Sequence, residues 1–186
     1  MKVFAIALLF LAGGAWASDW RYSGNTGRGK DSAAMFFDTE SVTRPSKDLA
    51  RVWTKAINQT EIERYFKDHE KQIVHTVARQ IGTYQIPRFL EIESVRTAYG
   101  ADENKLTDAA MAIFTSEAVA NSPEVNSSAR LYLEFDCPGQ RFRVLNTTLF
   151  NSGAVQSNRG TPNVPFEFIA PDTAAQWLAR LVCERK

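Results

Sequence analysis

Two cysteines, Cys137 and Cys183, most constrain what this chain can fold into. Residues 130–136 alternate between apolar and polar side chains, and Cys137 continues the apolar face by the two-residue period of a strand. Residues 174–182 place apolar side chains at helical spacing, and Cys183 follows directly after them. The pattern therefore predicts a strand and a final helix that each end at a cysteine.

The first residues have the pattern of an export signal. Lys2 gives a positive start, residues 3–12 are apolar, and small residues ending at Ala17 precede Ser18. We predict that residues 1–17 are a signal peptide, cleaved between Ala17 and Ser18, and that the mature chain is exported to the periplasm or outside the cell. The alternative is a retained membrane anchor, but the apolar run is shorter than the ~20 residues that span a bilayer. We expect no transmembrane segment in the mature chain.

An oxidising compartment favours one disulfide between Cys137 and Cys183. The alternative is two separate buried thiols. Cys183 lies about 170° around the helix from the centre of the apolar stripe, so the bridge requires the helix to end or unwind before Cys183. Closing a loop of this length stabilises a fold by roughly 4 kcal/mol.

Periodicity along the rest of the chain predicts an α+β fold. We expect a mostly antiparallel sheet with a disulfide-tied C-terminal helix, in a single domain over residues 18–186. A helical insertion at about 58–128 interrupts the strands. The predicted strands are 19–22, 34–38, 49–57, 130–136, 141–150 and a weak 154–157. The predicted helices are 60–82, 104–120 and 174–182, and residues 87–95 favour a helix beginning at Pro87, with an extended segment as the alternative. Turns are predicted at 38–41 and 44–48, and loops at 23–32, 121–128 and 161–171.

Three local details sharpen these predictions. Thr60 and Glu63 fit a capping box at the start of the first helix, and Asp172 or Thr173 caps the last one. In residues 141–150 the apolar phase slips by one position, which indicates a β-bulge or two buried faces.

The sequence excludes several chemistries. Removal of residues 1–17 removes Lys2 and takes the formal net charge from +1 to zero, which does not favour a nucleic-acid partner. Residues 24–30 match a phosphate-binding loop, but Asp31 stands where a hydroxyl should meet magnesium. His69 and His75 point about 120° apart on a helix, too far to share a metal. We predict no catalytic residues, no cofactor and no metal.

The charged strand residues are interpreted as surface groups. We expect Asp38, Glu40, Glu134 and Asp136 to face solvent, and His69 to be a partly buried, hydrogen-bonded histidine. Arg141 and Arg143 flank Phe142 and are interpreted as a solvated strand face, with contact to an acidic partner as the alternative.

The C-terminal residues carry a resemblance to a known family. Its motifs are Glu134-Phe135-Asp136-Cys137, Gln140-Arg141-Phe142-Arg143-Val144, the Gly153 turn, Ile169-Ala170-Pro171-Asp172-Thr173 and the helix ending in Cys183, with Trp20, Phe37-Asp38, Glu40-Ser41 and Val52-Trp53 before them. These residues resemble the surface-adhesin protein E family over about 19–57 and 129–183. The resemblance implies small exported bacterial proteins with a mostly antiparallel sheet, a disulfide-tied C-terminal helix and adhesion to host matrix proteins.

The chain departs from that pattern in two ways: it lacks the lipid-attachment cysteine of an anchored adhesin, and it carries the insertion at about 58–128. Our first hypothesis is a non-enzymatic exported binding protein, adhesin-like, that presents its sheet or its insertion to a protein or small ligand; the expected partner is a protein of unknown identity, either a host matrix protein or an envelope protein. The alternative is an accessory subunit of a bacterial envelope assembly that docks through the helical insertion. An enzyme of unrecognised type is a third and weaker hypothesis.

Overall fold

The computed structural model describes residues 18–27, 32–83, 103–161, 163–171 and 173–184. The predicted signal peptide, the predicted helix at 87–95 and Asp172 lie outside these residues. In chain order the elements are β1 (Trp20–Thr26), β2 (Ala33–Asp38), a 3-10 turn (Thr39–Ser41), β3 (Thr43–Ser46), β4 (Leu49–Asn58), α1 (Gln59–Thr83), α2 (Glu103–Ala120), β5 (Ala129–Asp136), β6 (Arg141–Asn151), β7 (Ala154–Gly160), β8 (Glu167–Phe168) and α3 (Ala174–Cys183). In the part of the chain that the structure describes, no helix combines the length and apolar character needed to cross a membrane.

The described strands form one antiparallel sheet in the order β1-β2-β4-β5-β6-β7. The short strands β3 and β8 pair with β4 and β6 respectively. Because β4 and β5 are neighbours in the sheet, the segment carrying α1 and α2 leaves the sheet and returns beside the strand it left. The predicted fold class, an antiparallel sheet with a helical insertion and a disulfide-tied last helix, is confirmed.

Each face of the sheet is buried by helices. Successive residues of a strand point to opposite faces, so Phe36 and Phe37 enter different cores. The first core joins β1, β2 and β4 to α1 and α2, and the second joins β2, β4 and β5 to α3. The first contains Trp20, Ala34, Phe36, Ile57, Ile62, Tyr65, Ile73, Val77, Ala109, Ala110, Phe114, Val119, Ala120 and Val125; the second contains Phe37, Ala50, Val52, Leu133, Phe135, Leu178 and Val182.

Several predicted boundaries are corrected. Strand β1 extends four residues into the predicted loop and ends at Thr26. Gly24, with φ +141°, accommodates the irregular register at this point. The predicted turn around Arg44 contains the exposed strand β3, which pairs with the start of β4. Thr60 lies inside α1, which begins at Gln59, so it is not the predicted N-cap residue.

The predicted bulge in β6 is confirmed. Tyr132 pairs with Asn146 and Leu133 pairs with Val144, so Leu145 is the extra residue that shifts the apolar phase.

The disulfide joins Cys137 to Cys183, which are 46 residues apart in sequence. Cys137 follows β5 and borders the second core, as predicted. The expectation that α3 unwinds before Cys183 is wrong. Cys183 is the last helical residue, and the N–H of Glu184 still donates to the carbonyl of Arg180.

The reason lies in which side of α3 faces the sheet. The buried residues are Leu178 and Val182, whereas Trp177, which belongs to the predicted stripe, is only half-buried. The core-facing side is therefore rotated toward Cys183 relative to the predicted stripe, and the bridge forms at the flank of an intact helix. At the other end, the Thr173 hydroxyl accepts a hydrogen bond from the N–H of Gln176, which confirms one of the two predicted caps.

We predict that replacing both cysteines, Cys137→Ser with Cys183→Ser, lowers the free energy of unfolding by about 4 kcal/mol, because the unfolded chain loses a long closed loop. Urea unfolding followed by circular dichroism measures the difference. The wild-type protein under reducing conditions should show the same lower stability. A loss below about 1 kcal/mol would contradict a stabilising role for the bridge.

Candidate functional site

A half-exposed polar and aromatic surface lies on β4, β5 and β6, on the side of the sheet that carries α1 and α2. Strand alternation and cross-strand pairing bring its residues into rows. We call this surface the arginine face; it comprises Arg51, Trp53, Tyr132, Glu134, Asp136, Arg141, Arg143, Phe166 and Phe168.

The central row of the arginine face is a carboxylate between two guanidinium groups. Glu134 pairs with Arg51 on one side and with Arg143 on the other, and its side chain is 0% exposed. Arg51 Nε donates to Glu134 Oε1 at 2.6 Å, and Arg143 Nε donates to Oε2 at 2.7 Å. The Arg143 terminal nitrogen also lies 2.5 Å from Oε2. Both oxygens of the buried carboxylate therefore hold an arginine in place.

The charge state of Glu134 follows from two opposing effects. Burial alone would raise the pKa of the carboxyl group, but hydrogen bonds from Arg51 and Arg143, with their positive charges, outweigh burial and hold the pKa below its ordinary value. Glu134 is therefore ionised at neutral pH. The prediction that it faces solvent is wrong, because neighbours on both adjacent strands cover it. Asp38, also predicted to face solvent, is buried and accepts bonds from the N–H groups of Asp19 and Glu40.

The next row extends the face toward β8. Arg141 bonds to Asp136, and this hydrogen bond, together with one from the N–H of Gly139, lowers the pKa of Asp136. The ring of Phe166 lies 4.5 Å from the Arg143 guanidinium and 5.6 Å from that of Arg141. The two arginines are thus ion-paired and held against an aromatic ring.

Aromatic groups complete the surface. Trp53 and Tyr132 are opposite each other on β4 and β5, and their rings stack with centroids 4.8 Å apart. On β8, Phe168 pairs with Arg141 and is 80% exposed. The face therefore combines arginines of fixed position with one stacked aromatic pair and one exposed phenylalanine.

A buried lysine lies beside the arginine face and was not singled out in the sequence. Lys55 is opposite Arg130; its Nζ donates to the carbonyl of Ala120 and lies 4.4 Å from the centre of the Trp20 ring. Burial, with the nearby charge of Arg130, lowers the pKa of Lys55 to about 7. The two-residue period of β4 places Lys55 on the same face as the apolar residues Trp53 and Ile57, and this is the sequence signal that could have indicated its burial.

The histidines do not form a site. His69 is half-buried; its Nδ1 donates to the carbonyl of Tyr65 at 3.1 Å, and its ring stacks on that of Tyr65 at 4.1 Å. This confirms the interpretation of a partly buried, hydrogen-bonded histidine. His75 is exposed. Within the described ranges, no group of three or more His, Cys, Asp or Glu residues could hold a metal ion.

A cleft of about 290 Å³ lies beside the disulfide. Phe135 and Ile169 supply apolar lining, and Gln140 and Arg180 supply polar lining. The disulfide itself occupies part of the wall, so neither cysteine is available there as a nucleophile.

Comparison with known proteins connects this surface to a family. The family model for surface-adhesin protein E matches residues 89–184. The chain belongs to the surface-adhesin protein E family. No curated protein and no solved structure matches it. The matched range includes α2 and everything from β5 to α3, so Glu134, Arg143 and Phe168 lie inside it, whereas Arg51 and Trp53 on β4 lie before it.

We predict that Glu134→Gln lowers the free energy of unfolding by about 3 kcal/mol at pH 7, because the two arginines lose a buried counter-charge. The pKa of Glu134 is depressed in the folded state, so its contribution is present above the unfolded value of about 4.3 and is lost as pH falls through the folded pKa. Urea unfolding at pH 7 and pH 3 should show the difference between wild type and variant shrinking in acid.

Glu63→Gln, at an exposed position of α1, is the matched control and should change the free energy of unfolding by less than about 0.5 kcal/mol. An equally small effect of Glu134→Gln would contradict the assignment of Glu134 as a buried charge.

The lowered pKa of Lys55 gives a second pH dependence of the same sign, at higher pH. Between about pH 7 and the unfolded value of about 10.4 the unfolded chain binds more protons, so wild-type stability should rise with pH relative to Lys55→Met. We expect a change of about 1 kcal/mol per pH unit, measured by urea unfolding between pH 7 and pH 10. Lys71→Met at an exposed position of α1 is the control. A difference between wild type and Lys55→Met that is constant with pH would contradict the assignment.

Proposed function

We propose that this protein is a non-enzymatic, exported, adhesin-like binding protein that contacts a protein partner through the arginine face. The observation that carries the proposal is the pair of half-exposed arginines fixed on buried Glu134, next to the Trp53–Tyr132 stack. Tryptophan, tyrosine and arginine are the residue types that dominate binding energy at protein interfaces.

The fixed position of the arginines supports this role. A long flexible side chain loses rotamer freedom when it binds, at a cost of about 0.5–1.5 kcal/mol. Arg143 is held by Glu134 and by the ring of Phe166 before any partner arrives. Less entropy is therefore lost on binding than with a mobile arginine, so the surface is organised for recognition.

Two observations support the proposed location. The family that the chain matches is described as surface-adhesin protein E, and residues 1–17 have the pattern of a cleaved signal peptide. We propose that the mature chain acts in the periplasm or outside the cell, on a host matrix or envelope protein.

Exposed apolar groups favour the sheet over the helices as the docking surface. The apolar side chains Ile62, Ile73 and Val77 of α1 are buried in the first core. Among the described helix residues, Val74 on α1 is 47% exposed and Met111 on α2 is 38% exposed. Phe168, which belongs to the arginine face, is more exposed, at 80%. This arrangement makes docking through the helical segment, as an envelope-assembly subunit, the weaker of the two proposals.

We predict that Phe168→Ala weakens partner binding about tenfold, because an exposed aromatic group beside the arginines is lost without disturbing either core. Surface plasmon resonance against purified extracellular-matrix proteins and purified envelope proteins measures the effect. Val74→Ala on α1 is the matched exposed control and should bind as wild type does.

Loss of binding in Val74→Ala, with Phe168→Ala unaffected, would support the envelope-assembly alternative instead. Absence of binding to every protein of both panels would overturn the adhesin-like function.

A further inference from the structure

We infer that the arginine face takes an acidic segment of the partner protein, whose carboxylates bind the guanidinium groups of Arg141 and Arg143. This inference rests on the proposed function and names the chemistry of its partner.

The first argument is the local charge. The full chain has a formal net charge of only +1. The face and the adjoining Arg130 nevertheless place four arginines in consecutive cross-strand rows with only two carboxylates. The arginines are Arg51, Arg130, Arg141 and Arg143, and the carboxylates are Glu134 and Asp136. A cationic surface on a nearly neutral chain is complementary to an acidic partner.

The second argument is what an approaching partner meets. Glu134 is fully buried, whereas the side chains of Arg51 and Arg143 are 36% and 25% exposed. A guanidinium group has five N–H donors, and the carboxylate accepts from one nitrogen of Arg51 and two of Arg143. Each arginine therefore keeps donors beyond those that the glutamate accepts, and the partner meets guanidinium rather than carboxylate.

The third argument is spacing. Arg141 and Arg143 lie two residues apart on one strand and on one face, which separates them by about 7 Å. An extended peptide repeats its own side chains on one face over the same distance. Acidic residues at alternate positions of an extended segment therefore match the two arginines, and exposed Phe168 beside Arg141 offers an apolar contact to the same segment.

The test uses the mature protein and a fluorescein-labelled twelve-residue peptide of alternating Glu and Ser. We expect fluorescence polarisation to show binding that weakens about tenfold from 50 to 300 mM salt, since charge contacts are screened. The matched peptide with Gln in place of Glu should bind at least about tenfold more weakly. Equal binding of the two peptides would overturn the inference.

The variant Arg143→Lys keeps a cation beside Glu134 but removes the planar fork that binds a carboxylate through two donors. We expect about tenfold weaker binding of the Glu peptide by a variant that circular dichroism shows to be folded under the binding conditions. Arg64→Lys, at an exposed site on α1, is the matched control and should bind as wild type does.

The same assay is repeated with a sulfated heparin oligosaccharide. If the oligosaccharide binds more strongly than the Glu peptide, with the same dependence on Arg143, the ligand of the arginine face is a glycan and the inference is overturned. If the Glu peptide fails while Phe168→Ala still weakens binding to a matrix or envelope protein, the acidic-segment inference fails and the proposed function stands. If no protein partner binds, the proposed function fails as well.

Discussion

The pairing of β4 with β5 determines most of this structure. It runs from Leu49 opposite Asp136 to Ala56 opposite Ala129, across a segment that holds two helices. Because a strand alternates its side chains, this one register places Val52 and Leu133 in the core under α3 and Arg51 beside Glu134 on the other face. A slip of one residue would move Glu134 into the apolar core and expose Leu133. The same pairing thus specifies a core and assembles the arginine face.

The sequence predicts the features that depend on local spacing. Alternation in residues 130–136 places Cys137 toward the second core correctly, and the phase slip in β6 locates a bulge, because a two-residue period requires no knowledge of neighbouring strands. The burial of Glu134 could not be predicted in the same way. It depends on Arg51, 83 residues away in sequence, and on a register that only the folded sheet defines. The predicted buried side of α3 was wrong for the same reason, because packing against the sheet determines which side of the helix is buried.

The arginine face joins a part of the chain that the family model matches to a part that lies before the matched range. The matched range, residues 89–184, supplies Glu134, both arginines of β6 and the aromatic residues near β8. Strand β4, which precedes that range, supplies Arg51 and Trp53. The Arg51–Glu134 ion pair and the aromatic stack therefore exist only where β4 meets β5. The family match alone would have described part of the surface without the residues that complete it.

A buried carboxylate between two arginines is a costly way to stabilise a sheet. Removing charges from water costs several kcal/mol per ion, and apolar residues of similar volume at such positions are often neutral or stabilising. In this protein the carboxylate is fully buried while both arginines remain partly exposed, so the desolvation falls mainly on Glu134. One negative charge offsets only one of two positive charges, and the row keeps an excess positive charge of fixed geometry. Stability alone does not require that arrangement. It is the arrangement expected where arginine donors must be held in position for a partner before that partner binds.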